Sequence, residues 1–309
     1  MIKNIIFSIV ISSVILAKGY SAQTVSTGKL TEYPKFESKF ISARDVCVWV
    51  PDGYSAKEKY DVIYMHDGQM LFDANTTWNK QEWKIDEIAG KLIKEGKIRK
   101  SIVVAVSNIP ETRYGDFLPQ KTLNYLPKGT DVPKDIIWNA DNYLRFLVEE
   151  VKPFIDRNYS TNRSKEHTSV MGSSMGGLIS LYALCEYPDV FGGAGCVSTH
   201  VPMVISKTLP NSQADIWAEA FRKYLSENLP EANSRRIYMD RGDQTLDRFY
   251  PEYQDALDSL MTAKGWKSPQ WISKVFPGAA HMETDWALRL KYPLQFLLRN
   301  KKKETIERV

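Results

Sequence analysis

Cysteine and histidine are scarce in this sequence, with three and four residues of these types among 309. Three cysteines cannot all pair with one another, so a framework that pairs every cysteine is excluded. Each lies in an apolar stretch typical of a small buried side chain, and a bridge between Cys185 and Cys196 stays open. No CxxC or paired Cys/His spacing occurs, so the sequence predicts no structural metal site.

Long apolar runs are also lacking, apart from the one from Ile5 to Ala17 near the amino terminus. Thirteen helical residues span about 20 Å, less than the roughly 30 Å of a bilayer core. The run follows Lys3 and precedes small residues that end near Ala22, which is the layout of a secretory signal peptide. We therefore expect residues 1–22 to be removed and the protein to be exported, periplasmic or secreted, without stable membrane insertion.

Positive and negative charges are nearly balanced. The formal net charge is +4, and it becomes +2 when Lys3 and Lys18 of the predicted signal peptide are left out. This balance favours no polyanionic partner such as nucleic acid. The sequence has no internal repeat, no low-complexity tract and no recognisable linker. About 287 residues remain after the signal peptide, and we expect 23–309 to form a single domain.

Short β-branched runs alternate with segments of helical periodicity from residue 40 onward. Such alternation predicts an α/β fold with a mostly parallel sheet flanked by helices, in which the last five strands are buried on both faces. The predicted strands are Val46–Val50, Asp61–Met65, Ser101–Ser107, His167–Met171, Ala194–Ser198, Arg236–Asp240 and Gln270–Phe276. The predicted helices are Glu82–Glu95, Asn142–Tyr159, Glu252–Ala263 and Trp286–Leu298, the last of them broken or kinked at Pro293.

One connection is long for such a sheet, from His200 to Pro230, and it contains an amphipathic stretch around Ile216 to Leu225. Long connections in α/β folds often shape substrate pockets. We therefore interpret residues 200–230 as a short cap insertion over the active site.

The pentapeptide Gly172-Ser173-Ser174-Met175-Gly176 has the form G-x-S-x-G. A strand-like segment precedes it and a helix-like segment follows it, which predicts a sharp turn that exposes the hydroxyl group of Ser174. Glycine at both flanking positions removes the Cβ atoms that would clash in such a turn. Ser174 is thus the candidate nucleophile, and the Met175 N–H, at the start of the helix, is a candidate donor to an oxyanion. Ser173 lacks glycine at the required positions.

A serine hydroxyl needs a base, and the four histidines are the candidates for it. His281 ends a loop of small residues after the last predicted strand, and we expect it to be the base. His167 starts the nucleophile strand, at the opposite end of the sheet, and is expected to be structural. His200, on the predicted cap, is a candidate for substrate contact.

The acid that orients the histidine should lie between Ser174 and His281 in the sequence. The turn after Arg236–Asp240 contains two carboxylates, Asp243 and Asp247. Asp247 is the preferred acid and Asp243 stays open, whereas Asp240 is expected to lie within the strand.

A second oxyanion donor is expected in the loop after the strand Asp61–Met65. Gly68 permits close backbone approach there, which favours the N–H of Gln69, with Met70 as the alternative. His66-Asp67 also occurs in metal-dependent phosphohydrolases, but no companion His or Asp motif supports that interpretation.

Three further segments complete the set of motifs, which then covers nearly the whole chain after the signal peptide. They are Val48-Trp49-Val50-Pro51-Asp52-Gly53-Tyr54, Arg113-Tyr114-Gly115-Asp116-Phe117-Leu118-Pro119 and Gly278-Ala279-Ala280-His281. Together they resemble the "putative esterase" branch of the α/β-hydrolases. That branch includes S-formylglutathione hydrolases, feruloyl and acetylxylan esterases of carbohydrate esterase family 1, and enterochelin-type siderophore esterases. The resemblance implies an α/β-hydrolase fold, Ser174 as nucleophile, His281 as base, and no metal or organic cofactor. The acid is less firmly implied, because relatives commonly have Gly-Thr where this sequence has Gly242-Asp243.

The expected activity is that of a serine carboxylesterase. Export argues against a cytosolic glutathione thioester, so a feruloyl or acetyl ester on plant polysaccharide is the expected substrate. A siderophore ester and acyl transfer to a sugar by the same serine are the alternatives. Trp78, Trp83 and Trp217 are candidates for stacking on a sugar or an aromatic acyl group, although aromatic side chains more often pack in a core.

Overall fold

A computed structural model describes residues 23–204 and 211–300. Its centre is an eight-stranded sheet with the order β1-β2-β4-β3-β5-β6-β7-β8. The strands are β1 (Lys29–Phe36), β2 (Arg44–Val50), β3 (Asp61–His66), β4 (Ser101–Val106), β5 (Thr168–Ser173), β6 (Gly193–Val197), β7 (Arg236–Arg241) and β8 (Trp271–Val275). The predicted signal peptide lies outside the described residues.

Six of the strands, from β4 through β3 to β8, run parallel, whereas β1 and β2 pair antiparallel. Such a sheet with helices on both faces confirms the predicted α/β fold. All seven predicted strands are present. The parallel register aligns Ser173 with Val197 and Val197 with Asp240, so the carboxyl ends of β5, β6 and β7 meet at one edge.

Two features of the sheet differ from the expectation, and both concern its edges. β1 was not predicted, because its residues alternate weakly, are partly exposed and include Pro34, which donates no ladder hydrogen bond. Its pairing with β2 shifts register between Tyr33 and Phe36. The expectation that β8 is buried on both faces was wrong: β8 is an edge strand whose last residues, Lys274 and Val275, are exposed.

The helices pack on both faces of the sheet. Apolar side chains of α1, α8 and α9 cover one face, and those of α3 to α7 cover the other. The helices are α1 (Ile85–Lys94), α2 (Arg113–Phe117), α3 (Ala140–Arg145), α4 (Lys152–Asn158), α5 (Met175–Glu186), α6 (Ser212–Asn228), α7 (Pro251–Ala263), α8 (Glu283–Arg289) and α9 (Lys291–Leu297). A π-helical turn, Phe146–Val151, joins α3 to α4, so the predicted helix Asn142–Tyr159 is present as one rod.

The last predicted helix is divided, but not at Pro293. The break falls at Leu290, between α8 and α9, and Pro293 lies in the first turn of α9. Backbone N–H groups of a first turn have no intrahelical acceptor, so proline fits there without loss of a hydrogen bond. The helix also begins three residues before the predicted start, at Glu283.

The predicted cap, 200–230, is represented mainly by α6. This helix buries Trp217, Phe221 and Tyr224 against the core on one face of the sheet. Among the described residues of 200–230, none lines the cavity that contains Ser174. The amphipathic stretch is therefore a core-packing helix, and the walls of that cavity come from other segments.

The three cysteines are buried and free, so the bridge left open between Cys185 and Cys196 does not form. Burial raises the pKa of the Cys47 thiol to about 12 and that of the other two further, which keeps all three protonated. Within residues 23–204 and 211–300, no helix has the length and apolar character needed to cross a membrane.

Two buried histidines make the stability of the fold depend on pH. His66 bonds through Nδ1 to the Tyr143 hydroxyl, and His200 bonds to the Tyr250 hydroxyl, each at 2.7 Å. Burial lowers the pKa of His66 to about 3 and that of His200 to about 4, from an ordinary value of 6.5. At a pH between the lowered pKa of each histidine and 6.5, that histidine is protonated in the unfolded chain and neutral in the folded protein.

We therefore expect the free energy of unfolding to fall as pH drops from about 6.5 toward 4, by about 1.4 kcal/mol per pH unit for each histidine. His200→Gln removes one of the two contributions. Its stability deficit relative to the wild type should shrink on acidification by that amount per pH unit. Urea unfolding at pH 7, 6 and 5 measures the deficit, and a deficit that stays constant with pH would contradict this account.

Candidate active site

Ser174 occupies the turn between β5 and α5, at the carboxyl edge of the sheet. Its backbone angles φ and ψ are 57° and −120°, a conformation that residues other than glycine rarely adopt. The neighbouring backbone holds it there, because its N–H donates to the Val197 carbonyl at 2.9 Å and its own carbonyl accepts from the His200 N–H at 3.1 Å. The serine is thus strained and fixed at a helix start, as the sequence predicts.

Close backbone approach requires glycine at position 172, but the clash expected at the other flanking glycine is absent, because a Cβ on Gly176 would meet only Asp67 and His66, at 3.5 Å. A Cβ atom on Gly172 would lie 2.8 to 2.9 Å from the backbone of Gly176, and one on Gly177 would lie 2.7 Å from Thr199 Oγ1. A methyl group at position 172 would require a backbone shift, whereas one at position 177 would require the Thr199 side chain to move. The two glycines therefore let β5, β6 and α5 meet directly behind Ser174.

His281 is bonded to Asp247, with 2.6 Å between Nδ1 and Oδ1. The Asp247 side chain is fully buried, and that of His281 is 12% exposed. Burial alone would raise the pKa of Asp247, but the hydrogen bonds from His281, Ser198 and Gly242 outweigh it and lower the pKa. The ionised carboxylate can only accept, so Nδ1 of His281 carries the proton and Nε2 is left as a base.

The other oxygen of Asp247 is held by groups that the sequence pattern does not identify. Oδ2 accepts from the Ser198 hydroxyl and from the Gly242 N–H, both at 2.6 Å. Ser198 Oγ in turn accepts from Arg289 at 2.7 Å and from Trp286 Nε1 at 3.1 Å. These residues lie after β6 and on α8, in no recognisable motif, so only the fold brings them together.

Asp243, the other candidate acid, bonds elsewhere. Its Oδ1 accepts from the Gly278 N–H at 2.8 Å, and its own N–H donates to the Ala279 carbonyl at 3.1 Å. A Cβ on Gly242 would lie 2.1 Å from the same carbonyl, so glycine allows the two loops to touch. The structure brings Asp247 to His281, whereas Asp243 holds the loop that carries His281. Asp240 lies within β7, as expected.

The loop after β3 approaches the start of α5. A Cβ on Gly68 would lie 2.7 Å from the β4 backbone at Ala105 and Val106, which explains the glycine. Among the described residues, the N–H groups of Gln69 and Met175 have no acceptor, so both are available to a ligand. Gln69 also lines the cavity beside Ser174.

Asp67, next to this loop, forms a two-bond ion pair with Arg113, at 2.8 and 2.7 Å. Asn108 donates a further bond to Asp67 at 2.6 Å. Burial works against ionisation, yet the guanidinium holds the pKa of Asp67 below its usual value. Arg113 thereby fixes the left-handed turn at Asp67 from which Gln69 is presented. Arg113 belongs to a motif noted above, to which the sequence assigned no role.

The remaining histidines have structural surroundings. His167 lies before β5 and bonds to Asp61, at the amino edge of the sheet. His200 is buried beneath Ser174: its Nε2 donates to the Val204 carbonyl at 3.1 Å, so its Nδ1 accepts from Tyr250. The Tyr250 hydroxyl lies beside the Ser174 side chain. His200 does not line the cavity, so the expected contact with substrate is not seen.

Ser174 and His281 line one cavity of about 700 Å³, the active-site cavity. Within the described chain their side chains are not hydrogen-bonded to each other, which is common before a substrate binds. Trp83, Trp286 and the 83% exposed Trp78 also line the cavity. Trp217 was a wrong candidate for stacking, because it is buried elsewhere against Trp138 at 5.4 Å.

No group of three or more His, Cys, Asp or Glu side chains suited to a metal ion occurs in the described parts of the chain. The site consists instead of the buried Asp247 carboxylate, the His281 imidazole and the Ser174 hydroxyl, of which the serine lies at the start of α5.

A family model described as "Putative esterase" matches residues 39–295. The chain belongs to this esterase family. It is accordingly a carboxylic ester hydrolase.

Relatives of this esterase include the ferri-bacillibactin esterase BesA of Bacillus subtilis, 26% identical over 161 residues, or 48% of this chain and 52% of BesA. Two solved structures share its fold. A ferulic acid esterase of Anaeromyces mucronatus gives a TM-score of 0.58 at 19% identity, covering 89% of this chain and 93% of that one. The enterobactin esterase of Shigella flexneri gives a TM-score of 0.64 at 17% identity, covering 89% of this chain and 60% of that one.

Proposed function

We propose that this esterase cleaves its substrate by two-step acyl transfer through Ser174, His281 and Asp247. Ser174 attacks the ester carbonyl while His281 Nε2 takes the hydroxyl proton and then gives it to the leaving alcohol. Water, activated by the same imidazole, attacks the acyl-enzyme and releases the acid. Asp247 fixes the tautomer of His281 and stabilises its protonated form.

The observation that carries this proposal is the 2.6 Å bond between Asp247 and His281 at the rim of the cavity that Ser174 lines. The free N–H groups of Met175 and Gln69 support it, because they flank the serine and can donate to the developing oxyanion. Arg113 contributes by fixing the turn at Asp67, and one of its nitrogens also contacts Met175 Sδ at 3.6 Å.

For the substrate we propose an ester of an aromatic acid, such as a feruloyl ester, on a plant polysaccharide. The support is the aromatic lining of the active-site cavity by Trp78, Trp83, Trp286 and Tyr114. Aromatic rings bind other rings and sugar faces through stacking. The structural likeness to a ferulic acid esterase agrees with this choice but shows the fold alone.

A siderophore ester is the second candidate, favoured by the likeness to BesA and to the enterobactin esterase. Its catechol rings would also suit the aromatic walls. The cavity, however, carries the charges of Asp67, Glu283 and Arg113, which leave no positive excess for a polyanionic iron complex. Parallel assays of a feruloyl ester and a catecholate ester separate the two candidates.

We also propose that residues 1–22 act as a cleaved signal peptide and that the protein works outside the cytoplasm. The support is the short apolar run with Lys3 before it and small residues after it. Amino-terminal sequencing of the exported protein should give a start at Gln23. An intact amino terminus in the cytoplasmic fraction would rule this proposal out.

Ser174→Ala should lower kcat on p-nitrophenyl acetate by of order 10³-fold or more, because no other group forms the acyl-enzyme. A fluorophosphonate probe should label the wild type and not the variant. Ser173→Ala is the matched control, a neighbouring hydroxyl that should leave labelling intact. If Ser174→Ala kept wild-type turnover, this mechanism would be wrong.

Asp247→Asn and Asp243→Asn test the assignment of the acid, since both replace a carboxylate by an amide of the same shape. The first should cost of order 10³- to 10⁴-fold in kcat, because the amide no longer holds the proton on Nδ1. The second should cost far less, because Asp243 bonds to Gly278 and not to the imidazole. The reverse order of losses would assign the role to Asp243.

A further inference from the structure

A second cavity adjoins the active site and takes no part in the mechanism above. It measures about 660 Å³, close to the 700 Å³ of the active-site cavity, and we call it the outer cavity. Tyr114 lines both cavities, and its half-buried side chain is where they adjoin. A ligand that passes Tyr114 would therefore reach from Ser174 into the outer cavity.

The wall between the two cavities is fixed at both of its ends. On one side of Tyr114, Arg113 is tied to Asp67 by two hydrogen bonds. On the other side, Gly115 packs so tightly that a Cβ there would lie 1.9 Å from the Ile137 carbonyl oxygen, and its own carbonyl accepts from the Asn139 N–H at 2.9 Å. The spacing between the two cavities is thus set by the short helix α2, not by a loose loop.

The outer cavity combines apolar and hydrogen-bonding surface. Phe40, Ile41 and Ile136 contribute apolar faces, together with Ile137, which is 83% exposed. The uncharged polar lining residues are Ser42, Thr112 and Asn139. Thr112 and Asn139 already donate to Asp116, at 2.8 and 3.2 Å, so the exposed Ser42 hydroxyl is left to donate to a ligand. A sugar ring presents the same two kinds of surface, C–H faces and hydroxyl groups, so the lining suits a carbohydrate better than a plain acyl chain.

The charge of the outer cavity also limits its ligand. The charged lining residues are Lys39 and three carboxylates, those of Glu111, Asp116 and Asp135. The buried Asp116 is neutralised by Arg44 at 3.0 Å, so one negative charge is left in excess. An anionic ligand is disfavoured by this balance, and a neutral sugar is not.

We propose that the outer cavity is a subsite for a neutral sugar unit on the alcohol side of the scissile ester. The acyl group then occupies the tryptophan-lined active-site cavity, and the sugar chain crosses Tyr114. This inference rests on the proposed function, since it requires Ser174 to cleave an ester of a polysaccharide. It makes the enzyme selective for the length of the alcohol as well as for the acid.

The test compares two substrates with the same acid, methyl ferulate and a feruloylated arabinoxylo-trisaccharide. The wild type should have a kcat/KM at least ten-fold higher on the trisaccharide ester, with the difference mainly in KM. Ser42→Trp fills the outer cavity from an exposed position, and it should lower the ratio of the two kcat/KM values at least five-fold. Ile137→Arg is a second filling variant, should the first fold poorly.

Leu288→Trp is the control, because Leu288 is 79% exposed on α8 and lines neither cavity. It should keep the wild-type ratio. A wild-type ratio near one, or a ratio that both filling variants leave unchanged, would overturn the subsite while Ser174 still hydrolyses both esters. Failure of the proposed function gives a different result, because Ser174→Ala would then retain activity. That result would contradict the proposed function and the subsite together.

Discussion

The candidate active site depends on one buried carboxylate, that of Asp247. An unpaired charge in the interior costs several kcal/mol, and here that cost is offset by donors from three separate parts of the chain. The Gly242 N–H, the Ser198 hydroxyl and His281 Nδ1 converge on its two oxygens, and Arg289 lies 3.8 Å away. Each donor is itself anchored, so the imidazole has one orientation and one tautomer.

Arg289 links this carboxylate to a second one. It bonds to Ser198 Oγ at 2.7 Å and to Asp240 at 3.2 Å, and all three side chains are buried. Burial raises the pKa of Asp240, and the guanidinium works against that rise. Arg289 therefore lies close to both buried carboxylates, Asp240 at the end of β7 and Asp247 beside His281, and it links helix α8 to the carboxyl edge of the sheet.

The sequence predicted the parts of the site that depend on local chain geometry. Ser174 is identified by glycines around a strand-to-helix turn, and His281 by its place after the last strand, because both signals lie within a few residues. The sequence favoured Asp247 as the acid but left Asp243 open, because both lie in the same turn. The choice between them depends on the contact of Gly242 with Ala279, a close approach between two loops that no local pattern encodes.

Elements with weak or ambiguous local patterns were predicted less well. The sequence pattern does not predict β1, because this edge strand is partly exposed and its apolar and polar residues do not alternate cleanly. Ser198, Trp286 and Arg289 carry no motif and meet only through the parallel register of β6 and β7 and the packing of α8. The amphipathic stretch in 200–230 was interpreted as part of a cap, because its periodicity alone does not distinguish a segment over the cavity from a helix packed against the sheet.

The two outer strands have a consequence for how the protein behaves among other copies of itself. A bare strand edge offers hydrogen-bonding groups to any neighbouring chain. On one side, Pro34 removes a donor, and the pairing of β1 shifts register between Tyr33 and Phe36. On the other, the five-residue strand β8 carries exposed Lys274 next to its last residue, Val275, and the lysine charge disfavours pairing with a second copy of the same strand. Both borders of the sheet thus discourage its extension from one folded molecule to the next.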